Sequence, residues 1–443
     1  MPRTPKHPAP RRRPPAPPTP AEVAESAADL RRTLDGWRRS RRFLDYYPSR
    51  AFGHALTEWV EALLDDVAPH DPVAALDLLE RCITHDAKFF GRADDSDGSI
   101  GNAIYRAAEA WVTVAAQSRL DPSDLRRRMV ALTDADEYNS RDPILRRANE
   151  VLAEPDLRAL VALFEARLES AIAAAGRTPP RELDVLIIAG ALERLAHALR
   201  DPEIFVRATL RYSPDPVPGE RERFAKAFLA ADQPEAALQW LDASWGYLEA
   251  SRSALRAEAL ERLERLDECA PLRRQLFEQV PTALALRAWL AVLPESQRDD
   301  ARRQAREITM THRDVGGAVV MFLELEDPES AEATLVARPD RVWGGDYYRL
   351  VDAAKVLRKA GRVRGATVIY RALLGGILDG ANSTAYGHAA KYWLRLADMA
   401  ASGVSLAPLG PHAEFAAEIE GRHARKWAFW RRVGEMKASG TWH

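Results

Sequence analysis

From about residue 21 onward, apolar residues recur at spacings of three and four in nearly every segment. Strict alternation bounded by turn residues is almost absent. This pattern predicts an all-α chain. The punctuation agrees: Asp71-Pro72, Asp121-Pro122, Asp142-Pro143, Asp201-Pro202 and Asp327-Pro328 each precede a helical pattern. In each pair the aspartate can accept from orphan amides of the first turn, and proline suits the first helical position, where no N–H is needed. Among the predicted helices are 21–46, 50–67, 72–85, 99–118, 155–175, 202–211, 346–360, 363–379, 384–402 and 411–434.

Two stretches interrupt the periodicity: Gly176-Arg177-Thr178-Pro179-Pro180 and Ser213-Pro214-Asp215-Pro216-Val217-Pro218-Gly219. Three prolines in the second deny any continuing helix, so the main boundary is drawn there. The expected organisation is a tail over 1–20, an N-terminal helical domain over 21–212 and a C-terminal helical-repeat domain over 219–443. The clearest hairpin runs from Asp346 to Leu374. Leu350, Ala353, Ala354 and Leu357 line one helix, Gly361 turns the chain, and Ala366, Ile369, Tyr370 and Leu373 return along the next. A similar layout without glycine spans Phe224 to Leu241. The recurrences of Pro72, Pro234 and Pro328 at helix starts share no constant period, so any repeats are degenerate. Irregular hairpins stacked as an α-solenoid are the expected architecture, because each buries its apolar stripe only against neighbours.

Composition and charge narrow the function classes. The chain has 443 residues, 47% of them hydrophobic and 29% charged, which excludes a collagen-like or disulfide-stapled protein. No segment reaches the 18 or more apolar residues of a membrane span, and the N-terminus offers no signal-peptide core. Two cysteines far apart, Cys82 and Cys269, supply no metal motif. A cytoplasmic protein is expected. The net charge of −2 hides an asymmetry: residues 1–20 hold nine prolines, five basic groups (Arg3, Lys6, Arg11, Arg12, Arg13) and no acid, leaving −7 on the remainder. Such a tail reads as disordered or partly polyproline II, with contact to an anionic surface as the alternative.

Three segments carry a family resemblance: Arg92-Ala93-Asp94-Asp95-Ser96-Asp97-Gly98-Ser99-Ile100-Gly101, Tyr386-Gly387-His388-Ala389-Ala390-Lys391-Tyr392 and His423-Ala424-Arg425-Lys426-Trp427-Ala428-Phe429-Trp430. Together they resemble an uncharacterised bacterial family of all-helical, tetratricopeptide-like proteins, over roughly residues 40–443. A more distant likeness is to the helical region that accompanies SWIM zinc fingers. The resemblance implies no catalytic residues, and the chain lacks the Cys-x-Cys and Cys-x-His pairs of the finger itself.

Candidate chemistry is sparse. Nucleophile-elbow, Walker, dinucleotide and His-Glu-x-x-His motifs are all missing, so no catalytic residue, metal ligand or cofactor is assigned. The acidic run Asp94, Asp95 and Asp97 fails as an EF-hand, since a loop with Gly98 at its sixth position would put Ile104 where glutamate is required. An N-cap loop is the plainer reading. Glu420 and His423, with His388 or His412 nearby, offer a metal alternative that lacks a second Glu-x-x-His. Near the C-terminus Arg422, Arg425, Lys426, Arg431 and Arg432 interleave with Trp427, Phe429 and Trp430, a mixture able to follow a phosphate backbone. The plainer account is a stripe of Phe415, Ile419, His423, Lys426, Trp427, Trp430 and Val433 docked on Ala389, Tyr392, Trp393 and Leu396, with the arginines solvated. Tyr347, Tyr348, Arg349 and Arg364 are the candidate anchors on the hairpin. The leading expectation is a non-enzymatic scaffold whose partner is another protein. An unfamiliar enzyme or metal protein and a nucleic-acid binder are the alternatives, the last opposed by the acidic body.

Overall fold

The computed structural model describes residues 18–136, 138–175 and 182–440, so the tail over 1–17 and the Gly176–Pro180 break lie outside the described residues. Every regular element among them is helical, apart from an isolated bridge between Leu44 and Ala93. The all-α expectation holds.

The Asp-Pro pairs start helices by two different means. Asp71, Asp121 and Asp327 cap, accepting from the amides of Ala74, Ser123 and Ser330 at 3.0, 2.8 and 3.0 Å. Asp142 and Asp201 do not cap; their carboxylates hold arginines from other helices instead, Asp142 taking Arg194 at 2.9 Å and Asp201 taking Arg158 at 2.5 Å. An aspartate before proline falls at a helix start either way, because proline disfavours helix in the preceding residue; Asp142 is nonetheless itself the first helical residue of Asp142–Arg146.

Helix ends show a regularity that proline and glycine concealed. Six helices share one ending, in which a left-handed residue follows the last turn: Arg200, Asp232, Glu264, Glu326, Gly361 and Ala381, with φ between 50° and 71°. In each case the next residue's N–H bonds a carbonyl five back, as in Asp201 to Ala196 at 2.9 Å, Arg265 to Leu260 at 2.9 Å and Arg362 to Leu357 at 2.8 Å. This is the Schellman turn, which satisfies carbonyls left over at a helix end. Arg200, Asp232 and Glu264 fall 32 residues apart, a constant period missed because only Gly361 carries the residue the turn favours.

The described residues form two compact units, one ending at Trp240 and the other beginning at Leu241. The Ser213–Gly219 stretch lies within the first, where Glu220 accepts from the Ser213 hydroxyl and the Val217 amide at 2.8 and 2.9 Å. In that unit helix Ser99–Gln117 is the hub, packed by Tyr46–Asp66 and Pro72–Ile83. Its Trp111 is fully buried and donates to Glu80 at 3.0 Å. The first predicted helix is shorter, at Pro20–Arg39, the second starts earlier and is longer, at Tyr46–Asp66, and a short helix Asp86–Phe90 was not foreseen.

In the second unit, Tyr347–Lys359, Val363–Asp379 and Tyr386–Ala401 pack in succession, and Trp427–Ser439 closes on the last of them. All eight residues named for the 346–374 hairpin are buried. The single helix expected over 411–434 is two, His412–Arg422 and Trp427–Ser439, with a turn at 423–426. That turn re-phases the face: Phe429 is fully buried while Trp427 is 81% exposed, so the expected docking of Trp427 is incorrect. Trp430 does pack, its ring edge-on to Trp393 at 5.3 Å.

Burial holds the rings of His85, His412 and His423 below the ordinary histidine value of 6.5, with Asp379 pulling the other way at His423. The unfolded chain therefore takes up protons before the folded one does, and stability falls as pH drops below 6.5. We expect a melting temperature that is flat above about pH 7 and declines toward about pH 5, with a shallower decline in His423→Asn. An unchanged slope in that variant would remove His423 from the effect.

Candidate functional site: an aromatic cleft beside the C-terminal hairpin

Helix Pro328–Ala337 ends at Arg338, and a short Pro339–Arg341 turn leads into Val342-Trp343-Gly344-Gly345-Asp346. Val342 is buried, whereas Trp343 stands 76% exposed. Gly344 lies so near helix Val363–Asp379 that a Cβ there would run into the Ala372 carbonyl. A Cβ on Gly376 would in turn sit 3.0 Å from the Gly344 carbonyl carbon. Backbone meets backbone, which only glycine permits. The segment is thereby pinned, and the Trp343 ring lies against Gly345.

The next helix, Tyr347–Lys359, turns Leu350, Ala353, Ala354 and Leu357 inward. Its first turn keeps Tyr347 and Tyr348 outside, 50% and 79% exposed, with rings 4.0 Å apart and tilted by 32°. Between this turn and the residues following Val363–Asp379 opens a cleft of about 690 Å³, within the usual range for ligand sites. Gly344, Gly345 and Gly376 form its floor, with Tyr347, Tyr348, Tyr392 and Ile377 as apolar walls. Asp352, Asn382, Thr384 and His388 supply the polar groups. Tyr392 stacks on Tyr370 at 5.5 Å, and burial raises its hydroxyl pKa. A hydrogen bond to Tyr348 raises that of Tyr347. No arginine or lysine lines this cleft, in a chain holding 63 of them. Asp352, its one carboxylate, pairs with exposed Lys355 at 2.8 Å.

The other residues singled out from sequence stand elsewhere. Arg349 is held by Asp314 at 3.1 Å and Asp346 at 2.6 Å, and Arg364 by Glu332 at 3.2 Å. Arg422 pairs with Asp379 at 3.0 Å, Arg431 and Arg432 both reach Glu435, and Arg425 lies in the exposed turn before Trp427. In the acidic loop Asp95 accepts from the amides of Ile100 and Gly101 at 2.8 and 3.0 Å, and Asp97 from the Ser99 amide and hydroxyl at 3.1 and 2.8 Å. Asp94 accepts from Ser96 at 3.2 Å. These bonds satisfy the start of helix Ser99–Gln117 and hold the Asp97 carboxyl below its ordinary value. Glu420 is exposed, whereas His423 is buried with its Nε2 3.3 Å from Asp379. Among the described residues no three histidine, cysteine or acidic side chains gather as metal ligands would.

Sequence reasoning found the two tyrosines but missed Trp343, the glycine floor, Asn382 and Thr384. The run Trp343-Gly344-Gly345-Asp346-Tyr347-Tyr348 was the available signal, since paired glycines among aromatics mark a close backbone approach. A second cleft, of about 570 Å³ in the first unit, is lined by Arg146, Arg147, Arg223 and Lys226 among others. Each of these four cations is already held by a carboxylate: Asp142, Glu150, Glu193 and Glu222 respectively.

No helix among the described residues is long and apolar enough to cross a membrane. No curated protein matches the chain. One solved structure, a circular tandem repeat protein with novel repeat topology and enhanced subunit contact surfaces, aligns over 93% of this chain and 87% of its own at 15% identity, with a TM-score of 0.20. The family comparison names neither tetratricopeptide repeats nor SWIM proteins. Residues 19–432 match the model of DUF6880, a family of unknown function, and the chain belongs to that family.

Proposed function

We propose that the protein is a non-enzymatic interaction module on a helical-repeat scaffold, binding another protein through the cleft at Tyr347 and Tyr348. The observation that carries this reading is the retention of three large aromatic side chains, Trp343, Tyr347 and Tyr348, in water beside a glycine-floored recess. Tyrosine and tryptophan dominate the energetics of interfaces because they bury large area with few rotatable bonds. The nucleic-acid reading has less support, since Arg422, Arg431 and Arg432 already have carboxylate partners. Two buried free thiols, Cys82 and Cys269, accord with a reducing cytoplasm.

The test is peptide selection by phage display on the whole chain, followed by affinity measurement on variants. Tyr348→Ala should weaken selected peptides by about 30-fold or more, the scale of a hot-spot residue, without lowering the melting temperature. Binders indifferent to Trp343, Tyr347 and Tyr348 would sink the assignment of this surface.

A further inference from the structure

Building on that reading, we infer that the partner segment is an extended acidic peptide, with an apolar residue against Tyr347 and Tyr348 and its carboxylates on a row of unpaired cations just beyond the cleft. Helices Tyr347–Lys359 and Tyr386–Ala401 both pack on Val363–Asp379. Their first turns share the cleft, through Tyr348 and Asp352 from one and His388 and Tyr392 from the other. Their last turns share a second recess of about 350 Å³, through Arg358 from one and Asp398 and Met399 from the other. The two helices therefore run side by side in one direction, and a single groove joins cleft to recess.

Along this groove Lys355 and Arg358 continue the face of Val351 and Asp352, and Lys391 and Arg395 continue that of His388 and Tyr392, at the three- and four-residue spacings of a helix face. Four cations thus meet two carboxylates, Asp352 and Asp398. Lys355 takes Asp352 at 2.8 Å, and among the described residues Arg358, Lys391 and Arg395 have no carboxylate partner. Nearby arginines behave differently: Arg349, Arg362, Arg364 and Arg422 are each held by a carboxylate. Arg395 is fixed by a ring instead. Its guanidinium lies over Tyr370 at 5.7 Å, donates to that hydroxyl at 3.3 Å and keeps an enclosed Nε with no partner. Burial, and then the charges of Arg395, Lys355 and Arg358, hold Lys391 below the ordinary lysine value of 10.5. Like charges gathered this closely cost folding stability, and an anionic partner relieves them. Reach sets the spacing. Lys355 and Arg395 each stand seven residues beyond a cleft residue, Tyr348 and His388, or about 10 Å along the helix, which an extended peptide covers in about three residues. A long polyanion would meet the −7 carried by the chain beyond residue 20, whereas a few peptide carboxylates meet the groove alone.

The experiment selects peptides from an unbiased phage-displayed library on the full chain, and separately on the full chain carrying Arg358→Glu and Lys391→Glu. Binders of the unaltered chain should hold Asp or Glu about three residues from an apolar anchor. The strongest of them, made as a synthetic peptide, should bind about tenfold or more weakly to a chain with Arg358→Ala and Lys391→Ala, whose melting temperature should be equal or higher. The two glutamate changes should instead select Arg or Lys at the same spacing. Binders that need Tyr348 yet show no acidic enrichment, or that bind the double-alanine chain as tightly, would overturn the inference and leave the interaction module standing. Acidic binders indifferent to Tyr347 and Tyr348 would remove the module's anchor and this inference with it. A thymidine oligonucleotide that needs Arg358 and Lys391 and binds more tightly than any selected peptide would overturn the acidic peptide in favour of nucleic acid.

Discussion

Phe429→Ala should destabilise the protein by about 3–5 kcal/mol, and Trp427→Ala, two residues away, should stay within about 0.5 kcal/mol. Phe429 is fully buried, edge-on to Tyr386 at 6.0 Å and to Trp430 at 4.6 Å, so its removal leaves a cavity walled by rings that cannot collapse freely. Trp427 opens its helix with 81% of its surface in water, leaving little burial to lose. Next to Phe429, Trp430 donates its indole N–H to the His423 carbonyl at 3.0 Å, tying the last helix to the turn before it. Denaturant unfolding of the three proteins decides the matter. Equal losses at 427 and 429 would mean that the stripe continues unbroken through the turn, as in a single helix over 411–434.

What the sequence made legible was whatever local chemistry alone decides. Val363–Asp379 coincides with its predicted span because the inward positions Ala366, Ile369, Tyr370 and Leu373 keep one phase throughout. The terminal helix failed for the converse reason. Spacings of three and four continue across His423–Lys426, yet the backbone turns there without a proline or glycine at the corner. The 32-residue recurrence of Schellman turns was hidden likewise, because Arg200, Asp232 and Glu264 adopt a left-handed conformation that no residue-type rule assigns to them. At the cleft the tyrosines could be picked out by type. Its floor depends on Gly344 meeting Gly376 from another helix, a contact set by packing that no linear spacing encodes.

The buried pair of Asp86 and Arg141 was equally invisible, and it carries the second large expectation. Both side chains are almost wholly enclosed, at 1% and 2% exposure. Arg141 gives two hydrogen bonds to the Asp86 carboxylate, at 2.8 and 3.2 Å, and two more to the carbonyls of Leu132 and Ile83, at 2.8 and 3.1 Å. Ile83 is the last residue of helix Pro72–Ile83, and Leu132 lies in the final turn of Pro122–Asp134. The guanidinium thus satisfies orphan carbonyls at two helix ends, where the helix dipoles also favour positive charge. Asp86→Ala should cost about 3–5 kcal/mol, because it strands a cation in the interior. Arg141→Met should cost a similar amount by leaving a carboxylate and two carbonyls unmet. The double variant distinguishes a matched pair from two separate packing sites. Coupling through the pair makes the combined loss smaller than the sum by about 1–3 kcal/mol, since each single change already removes the reason for the other charge. Strict additivity in denaturant unfolding would show that Arg141 acts through the helix-end carbonyls alone, with Asp86 contributing nothing to its position.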